Sequence, residues 1–156
     1  MAVNCYPQGV VRRATIDDLE TLVAGNIAMA KETEDVDLDP QVVEPGVRAA
    51  LLDPKLGAYW VLEEQGEVLA QLMITYEWSD WRNRIVWWIQ SVYVAPKARG
   101  RGLYRALYEA VLEQAQEAGA AGLRLYVDTT NTSAQAVYCR LGMNGDHYRV
   151  FEKMFS

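Results

Sequence analysis

The sequence predicts an α/β protein (α+β in some classification schemes) with one mixed, mostly antiparallel β-sheet flanked by helices. Along the 156 residues, runs rich in β-branched and aromatic residues alternate with segments of helical periodicity. Three strand-like runs in the middle are separated only by short polar turns, which is typical of antiparallel hairpins. A predicted helix then joins Arg84–Val94 to Leu123–Val127. Such a crossover predicts a parallel pair with a right-handed connection.

The first part of the chain predicts one strand and two helices, and the middle predicts three strands. Thr15 suits a helix start because Asp18 follows three residues later, in a form of capping box. The acidic stretch Glu32–Asp39 has no period and predicts a loop between the helices. The predicted bounds are strand Gly9–Ala14, a helix from Thr15 to about Lys31, a helix from Pro40 to about Leu52, and strands Tyr59–Glu63, Glu67–Trp78 and Arg84–Val94.

The last part of the chain alternates helix, strand, helix and strand. Leu103 and Leu107 begin an apolar helix face, and Gly119 is a suitable C-cap. The later predicted elements are strand Leu123–Val127, helix Thr132–Leu141 and a final strand Tyr148–Met154. No internal repeat or linker interrupts the pattern, so residues 1–156 are predicted to form a single domain.

Composition narrows the classes of function. Fifteen Lys and Arg against 21 Asp and Glu give a net charge of −6, which disfavours general binding to nucleic acid. No uncharged apolar run approaches the roughly 20 residues of a membrane-spanning helix, so no membrane partner is expected. Met1–Gly9 lacks a signal-peptide pattern, and Cys5 and Cys139 are expected to be reduced thiols in a cytoplasmic protein. The only histidine is His147, and no metal-binding spacing is present.

A basic loop with two glycines lies between a strand and a helix, at Lys97-Ala-Arg-Gly-Arg-Gly102. Amides at a helix N-terminus lack intrahelical partners, and glycines let the backbone approach an anion closely. The loop lacks the third glycine of the dinucleotide fingerprint and the Gly-Lys-Ser/Thr of the Walker A motif. It therefore predicts a different pyrophosphate site, with a glycine-rich turn bearing solvated arginines as the alternative interpretation.

Through this loop and one further motif, the chain resembles the GCN5-related N-acetyltransferase (GNAT) superfamily. That family's acetyl-CoA loop reads Arg/Gln-x-x-Gly-x-Gly/Ala, and Arg99-Gly-Arg-Gly102-Leu-Tyr104 matches two of the three positions. Tyr104 replaces the final small residue and must point away from the phosphates. A downstream element, Asn131-x-x-Ala134-x-x-x-Tyr138-x-x-x-Gly142-Met143, resembles the family's Asn…Ala…Tyr…Gly-Phe element, with Met143 in place of Phe.

The resemblance implies a GNAT-like sheet, with its fourth and fifth strands parallel, and acetyl-CoA as co-substrate. It further implies direct transfer to an amine in a ternary complex without a metal, in a protein that commonly dimerises. Tyr138 corresponds to the family's general acid and Asn131 to a contact with the coenzyme arm. The other implied coenzyme contacts are Val92, Tyr93 and Val94 along the arm, and Arg99, Gly100, Arg101, Gly102, Leu103 and Tyr104 at the pyrophosphate.

The proton transfers of the reaction limit what the candidate acid and base can do. An amine attacks a thioester only after losing its proton, so a base or an ordered water is needed. Because an ordinary thiol has a pKa of about 8.5 and tyrosine about 10, Tyr138 is expected to act largely as a hydrogen-bond donor. The stretch Trp87–Ser91 has no carboxylate, which makes Glu77 the first candidate base, followed by Glu32 and Glu34. A water chain or plain surface carboxylates remain alternatives.

The acceptor is expected to be a small, cationic amine. Glu32 and Glu34 would favour a positive charge, and Trp78 could form an aromatic wall of the acceptor site, although core packing is the default role of a tryptophan. Two other functions stay open. One is a catalytically silent module that binds acyl-CoA as a sensor. The other is acetylation of protein N-termini or lysines, which would need an open groove for a peptide.

Overall fold

The computed structural model describes residues 4–6 and 9–155, with side chains from residue 9 onward, in two compact units, 1–124 and 125–156. The elements are β1 (Asn4–Tyr6), β2 (Gly9–Arg13), α1 (Leu19–Glu34), α2 (Pro40–Leu52), β3 (Ala58–Glu64), β4 (Glu67–Ser79), β5 (Arg84–Val94), α3 (Leu103–Glu117), β6 (Gly122–Leu125) and α4 (Thr132–Arg140). Short 3₁₀ turns, Ile16–Asp18 and Pro96–Ala98, precede α1 and α3.

The six strands form one sheet in simple chain order. Strands β1 to β5 pair antiparallel with their neighbours. Strand β6 lies beside β5 and runs parallel to it, with α3 as the crossover. The predicted fold class is therefore confirmed. Strand β1 escaped the sequence analysis because three residues are too few to show an alternating pattern.

A β-bulge interrupts β5 near the middle of the sheet. Met73 pairs with Ser91, but the next residue of β4, Ile74, pairs with Ile89, so Gln90 is the extra residue. Strand β6 begins just after Ala121, whose N–H donates to the carbonyl of Ile85 at 2.8 Å. Because β6 has only four residues, its parallel ladder ends at the level of the bulge. Strand β5, with eleven residues, therefore continues beyond the end of β6, and its last residues are Val92, Tyr93 and Val94.

The two faces of the sheet are covered by different helices. Leu22 of α1 and Val61 of β3 are fully buried in a cluster that α1 and α2 close. Met73 packs against this cluster, so its neighbours Leu72 and Ile74, both fully buried, point to the opposite face. Helix α3 contacts β3 and β4 on that face. The alternation leaves β4 with buried side chains on both faces from Leu69 to Leu72, and β5 with the buried neighbours Val86 and Trp87 on opposite faces.

An ion cluster fixes the entry to α1. The Asp18 carboxylate is 7% exposed and accepts from both terminal nitrogens of Arg12, at 2.8 and 2.9 Å. It also accepts from the backbone N–H of Thr15 at 2.8 Å, which is one half of the predicted capping box. Glu63 holds the same guanidinium from β3 at 2.7 Å. These bonds lower the pKa of Asp18, the Arg12 bond contributing most.

Helix α1 makes a second polar contact with the sheet at its middle. The buried side-chain amide of Gln71 donates to the carbonyl of Leu22 at 3.1 Å and to the side-chain oxygen of Asn26 at 3.3 Å. Asn26 in turn donates to the hydroxyl of Tyr59 at 3.0 Å. A Cβ on Gly25 would lie 2.3 Å from the Gln71 side-chain oxygen. Only glycine lets the helix approach β4 this closely.

The second unit contains α4, and the final predicted strand is wrong. No strand is assigned between residues 148 and 154. Tyr148, Val150, Phe151 and Met154 are all exposed there, at 57% or more. An alternating pattern alone does not make a strand, because a strand also needs a neighbouring strand to pair with, and a local pattern does not specify that neighbour.

Candidate active site

The loop before α3 adopts a backbone that requires its glycines. Gly100 and Gly102 both have φ of +76°, in the left-handed region that favours glycine. A Cβ at either position would meet nothing within 4 Å. The glycines therefore serve the turn and leave open space above it, which an anion can approach.

Helix α3 begins in that open space. Gly102 is its N-cap and supplies no capping side chain. The amides of a helix's first turn have no intrahelical acceptor and carry a partial positive charge, so an anion is favoured there. Tyr104 packs along the helix, with its ring centroid 6.2 Å from that of Tyr108. The departure from the small residue of the family motif is thus accommodated on the helix side of the loop.

Each basic side chain of the loop forms an ion pair with a glutamate from another element. Arg99 pairs with Glu32 of α1 at 2.5 Å, and Arg101 pairs with Glu64 of β3 at 2.7 Å. The remaining pair joins Lys97 to Glu67 of β4. The Arg101 bond lowers the pKa of Glu64.

Arg99 is further tied to the end of β5. Its Nε donates to the carbonyl of Val94 at 3.0 Å, and its guanidinium lies 5.8 Å from the ring centroid of Tyr93. Val92, Tyr93 and Val94 are half-buried and belong to the part of β5 beyond the bulge. The predicted pyrophosphate loop and the predicted arm strand are therefore continuous in space.

Two pairs of polar side chains join β4 to β5 on the face of the sheet that α1 covers. Trp88 Nε1 donates to the Glu77 carboxylate at 2.7 Å, and the guanidinium of Arg124 donates to the same oxygen at 3.0 Å. Both bonds lower the pKa of Glu77, the Trp88 bond contributing most. Two residues nearer the bulge, the Gln90 amide donates to the Thr75 hydroxyl at 2.6 Å. Gln90 and Thr75 went unnoticed in the sequence because a bulge leaves no mark in the residue pattern.

The predicted acceptor residues are spread over several surfaces. Trp78 directly follows Glu77 in β4, so its side chain points to the other face of the sheet, where it is 61% exposed beside Ile85. Glu34 lies at the exposed C-terminal end of α1. Glu32 lies one half-turn earlier and engages Arg99. The structure thus brings Glu32 to the loop but does not bring Trp78 together with Glu77.

In the second unit, α4 carries the predicted arm contact and the predicted acid. Asn131 is the N-cap, and its side-chain oxygen accepts from the amide of Ala134 at 3.1 Å. Tyr138 lies two turns along the same helix and is half-buried. Burial raises the pKa of Tyr138 above its ordinary value, so the phenol stays protonated throughout the neutral range.

Comparison with known proteins decides the family. The model of the acetyltransferase (GNAT) family matches residues 26–143, which is more than half of the chain. The chain belongs to the GNAT family of acetyltransferases. The matched region includes the loop, the bulged strand β5 and helix α4.

Two relatives of this GNAT protein have names that contain a small molecule. It is 27% identical over 146 residues to the aminoalkylphosphonate N-acetyltransferase of Salmonella typhimurium, covering 94% of this chain and 92% of that one. It is 28% identical over 144 residues to the mycothiol acetyltransferase of Paenarthrobacter aurescens, of which it spans 43%. A possible acetyltransferase from Clostridium difficile 630 superposes with a TM-score of 0.88 at 41% identity, covering 94% of this chain and 97% of that one.

The described residues contain neither a metal-binding cluster nor a membrane-spanning helix. Within residues 4–6 and 9–155, no group of three or more His, Cys, Asp or Glu side chains is arranged to hold a metal ion. Over the same residues, none of the GNAT protein's helices combines the length and the apolar character needed to cross a bilayer.

Proposed function

We propose that this chain transfers an acetyl group from acetyl-CoA to the amine of a small acceptor, by direct attack in a ternary complex. The observation that carries the proposal is the continuity of two features. A glycine loop opens onto the uncapped N-terminus of α3, and it joins directly to the end of β5 that extends past β6. The first suits a diphosphate and the second suits an extended arm with amide groups.

The residues of this chain fit the coenzyme on chemical grounds. The loop offers open backbone above Gly100 and Gly102, together with the cations Lys97, Arg99 and Arg101. Backbone groups of Val92, Tyr93 and Val94 would bind the arm as an added strand binds an open edge. A backbone N–H of β5 near the bulge would stabilise the oxyanion. Asn131 would contact the arm through the part of its amide that does not cap α4.

Tyr138 is proposed to donate a hydrogen bond to the departing thiolate. Its raised pKa makes full proton transfer to a sulfur of pKa about 8.5 unfavourable, so donation without complete transfer is the role that the chemistry favours. The amine must arrive deprotonated or lose its proton to an ordered water that leads to solvent.

Glu77 is proposed to attract the acceptor more than to remove its proton. Its lowered pKa keeps the carboxylate ionised at neutral pH, and such a carboxylate is a weak base toward an ammonium ion. Glu32 and Glu34 add negative charge at the end of α1, which favours a cationic amine. The small acceptors in the names of the relatives support a small molecule over a peptide.

Replacing Glu77 with glutamine is expected to raise the KM of a cationic amine about fivefold and to lower kcat less than tenfold. The acid limb of the kcat/KM profile should stay in place, because it reports the amine and not Glu77. Asp80→Asn, which removes one charge from the exposed hairpin turn, is the matched control. A fall in kcat of two orders of magnitude together with a displaced acid limb would instead make Glu77 the base.

The proposed function is tested by release of free coenzyme A from acetyl-CoA in the presence of a panel of amines. The panel should contain aminoalkylphosphonates, diamines, amino sugars and a peptide with a free N-terminus. Release that depends on one small amine supports the proposal. Tight acetyl-CoA binding without release on any amine would favour the silent sensor module, and release only with the peptide would favour protein acetylation.

A further inference from the structure

The three cations of the loop are all held by carboxylates. Glu32, Glu64 and Glu67, here called the acidic clamp, pair with Arg99, Arg101 and Lys97 respectively. The clamp residues come from three different elements, so local sequence does not explain the arrangement. Glu64 and Glu67 flank the turn between β3 and β4, and Glu32 approaches from the last turns of α1.

Two clamp pairs are exposed and the third is partly exposed, so their carboxylates can be replaced by another anion. In that third pair the side chains of Arg101 and Glu64 are 43% and 32% exposed. The side chains of Arg99 and Glu32 are 47% and 41% exposed, and those of Lys97 and Glu67 are more exposed still. Exposed ion pairs contribute little stability, so another anion can replace the carboxylate at small cost. The loop offers such an anion a place, because the space above Gly100 and Gly102 is open.

We infer that the acidic clamp competes with the coenzyme's phosphates for the loop's cations and thereby sets the affinity and charge selectivity of coenzyme binding. The inference rests on the proposed function, since it assumes that the loop binds a diphosphate. Phosphate oxygens replace the carboxylate oxygens on Arg99, Arg101 and Lys97, and three negative charges then remain beside an anionic ligand. A ligand that carries less negative charge than a diphosphate does not displace the clamp carboxylates from the three cations, and so it does not bind at the loop.

The sign of the effect follows from Coulomb's law. A glutamine keeps an oxygen that can accept from the same cation but removes the negative charge that repels the phosphates. Each of Glu32→Gln, Glu64→Gln and Glu67→Gln is expected to tighten coenzyme A binding about threefold in low salt, and a double variant about tenfold. In 0.5 M salt, the ratio of the variant's affinity for coenzyme A to that of the unsubstituted protein should fall toward one, because added ions screen exposed charges.

Isothermal titration calorimetry with coenzyme A measures this directly, without turnover. Glu44→Gln is the matched control, because Glu44 forms a comparable exposed ion pair with Arg48 within α2. Thermal unfolding of each variant checks that the exposed substitutions leave the fold intact. Tighter binding in the clamp variants, absent in the control and suppressed by salt, supports the inference.

Two other outcomes overturn it in distinguishable ways. Equal or weaker binding by the clamp variants, with normal binding by the unsubstituted protein, would show that the carboxylates only support the loop, and the proposed function would stand. Absence of coenzyme A binding by the unsubstituted protein would remove both the inference and the proposed function.

Discussion

Replacing Tyr138 with phenylalanine is expected to lower kcat about 100-fold and to leave the Kd of acetyl-CoA within about twofold. The hydroxyl is proposed to stabilise charge that develops on sulfur only as the thioester breaks. Its loss therefore affects the transition state far more than the bound ground state. Steady-state kinetics at saturating acceptor gives kcat, and calorimetry gives the Kd.

The pH dependence of kcat gives a second test of the role of Tyr138. Burial raises the pKa of Tyr138, so the alkaline limb of kcat should lie above about pH 10 and should be absent from the phenylalanine variant. Tyr148→Phe, an exposed tyrosine of the same unit, is the control and should be silent. An unchanged kcat in Tyr138→Phe would remove this residue from the mechanism.

Replacing Asp18 with asparagine is expected to lower the free energy of unfolding by about 2–3 kcal/mol at pH 7. The substitution breaks the bidentate ion pair between Arg12 and Asp18. It leaves the partly buried guanidinium of Arg12 with only Glu63 as a charged partner. It also weakens the acceptor for the Thr15 amide at the start of α1. Urea unfolding followed by circular dichroism measures the difference.

The acid side of the stability profile provides a second check. Because the folded-state pKa of Asp18 is lowered, its stabilising effect is complete above the unfolded value of about 4 and is lost as the pH falls through the folded value. The difference between the two proteins should therefore narrow in acid. Asp17→Asn, exposed on the same turn, should change little. A constant difference down to pH 2 would contradict the ionic explanation.

The sequence predicted most elements well because their signals are local. Helix Pro40–Leu52 and strand Arg84–Val94 have the predicted bounds, since proline, Asp-Pro and polar turns mark their ends. Helix α1 runs three residues further than predicted, into the acidic stretch. Strand β6 runs from Gly122 to Leu125 and so ends two residues before the predicted Val127, because the length of a ladder depends on pairing and not on the local pattern alone.

The features that were missed depend on pairing between distant segments. The bulge at Gln90 arises from the register between β4 and β5, and the sequence of either strand alone does not determine that register. The acidic clamp joins residues between 30 and 67 positions apart. The loop glycines, by contrast, were predictable because a left-handed turn requires them whatever surrounds it. The sequence thus predicted the glycine turn, but not the carboxylates that pair with the cations of the loop.

The close approach of α1 to β4 at Gly25 has a consequence for engineering the C-terminal end of α1. Gly25 seats the middle of α1 against Gln71, and Glu32 lies seven residues further, about 10 Å along the helix axis. A bulkier residue at position 25 would meet the Gln71 side chain and push the middle of α1 away from β4, which would also disturb the pair between Glu32 and Arg99. Redesign of this end of α1 should therefore vary residues after Lys31 and keep Gly25.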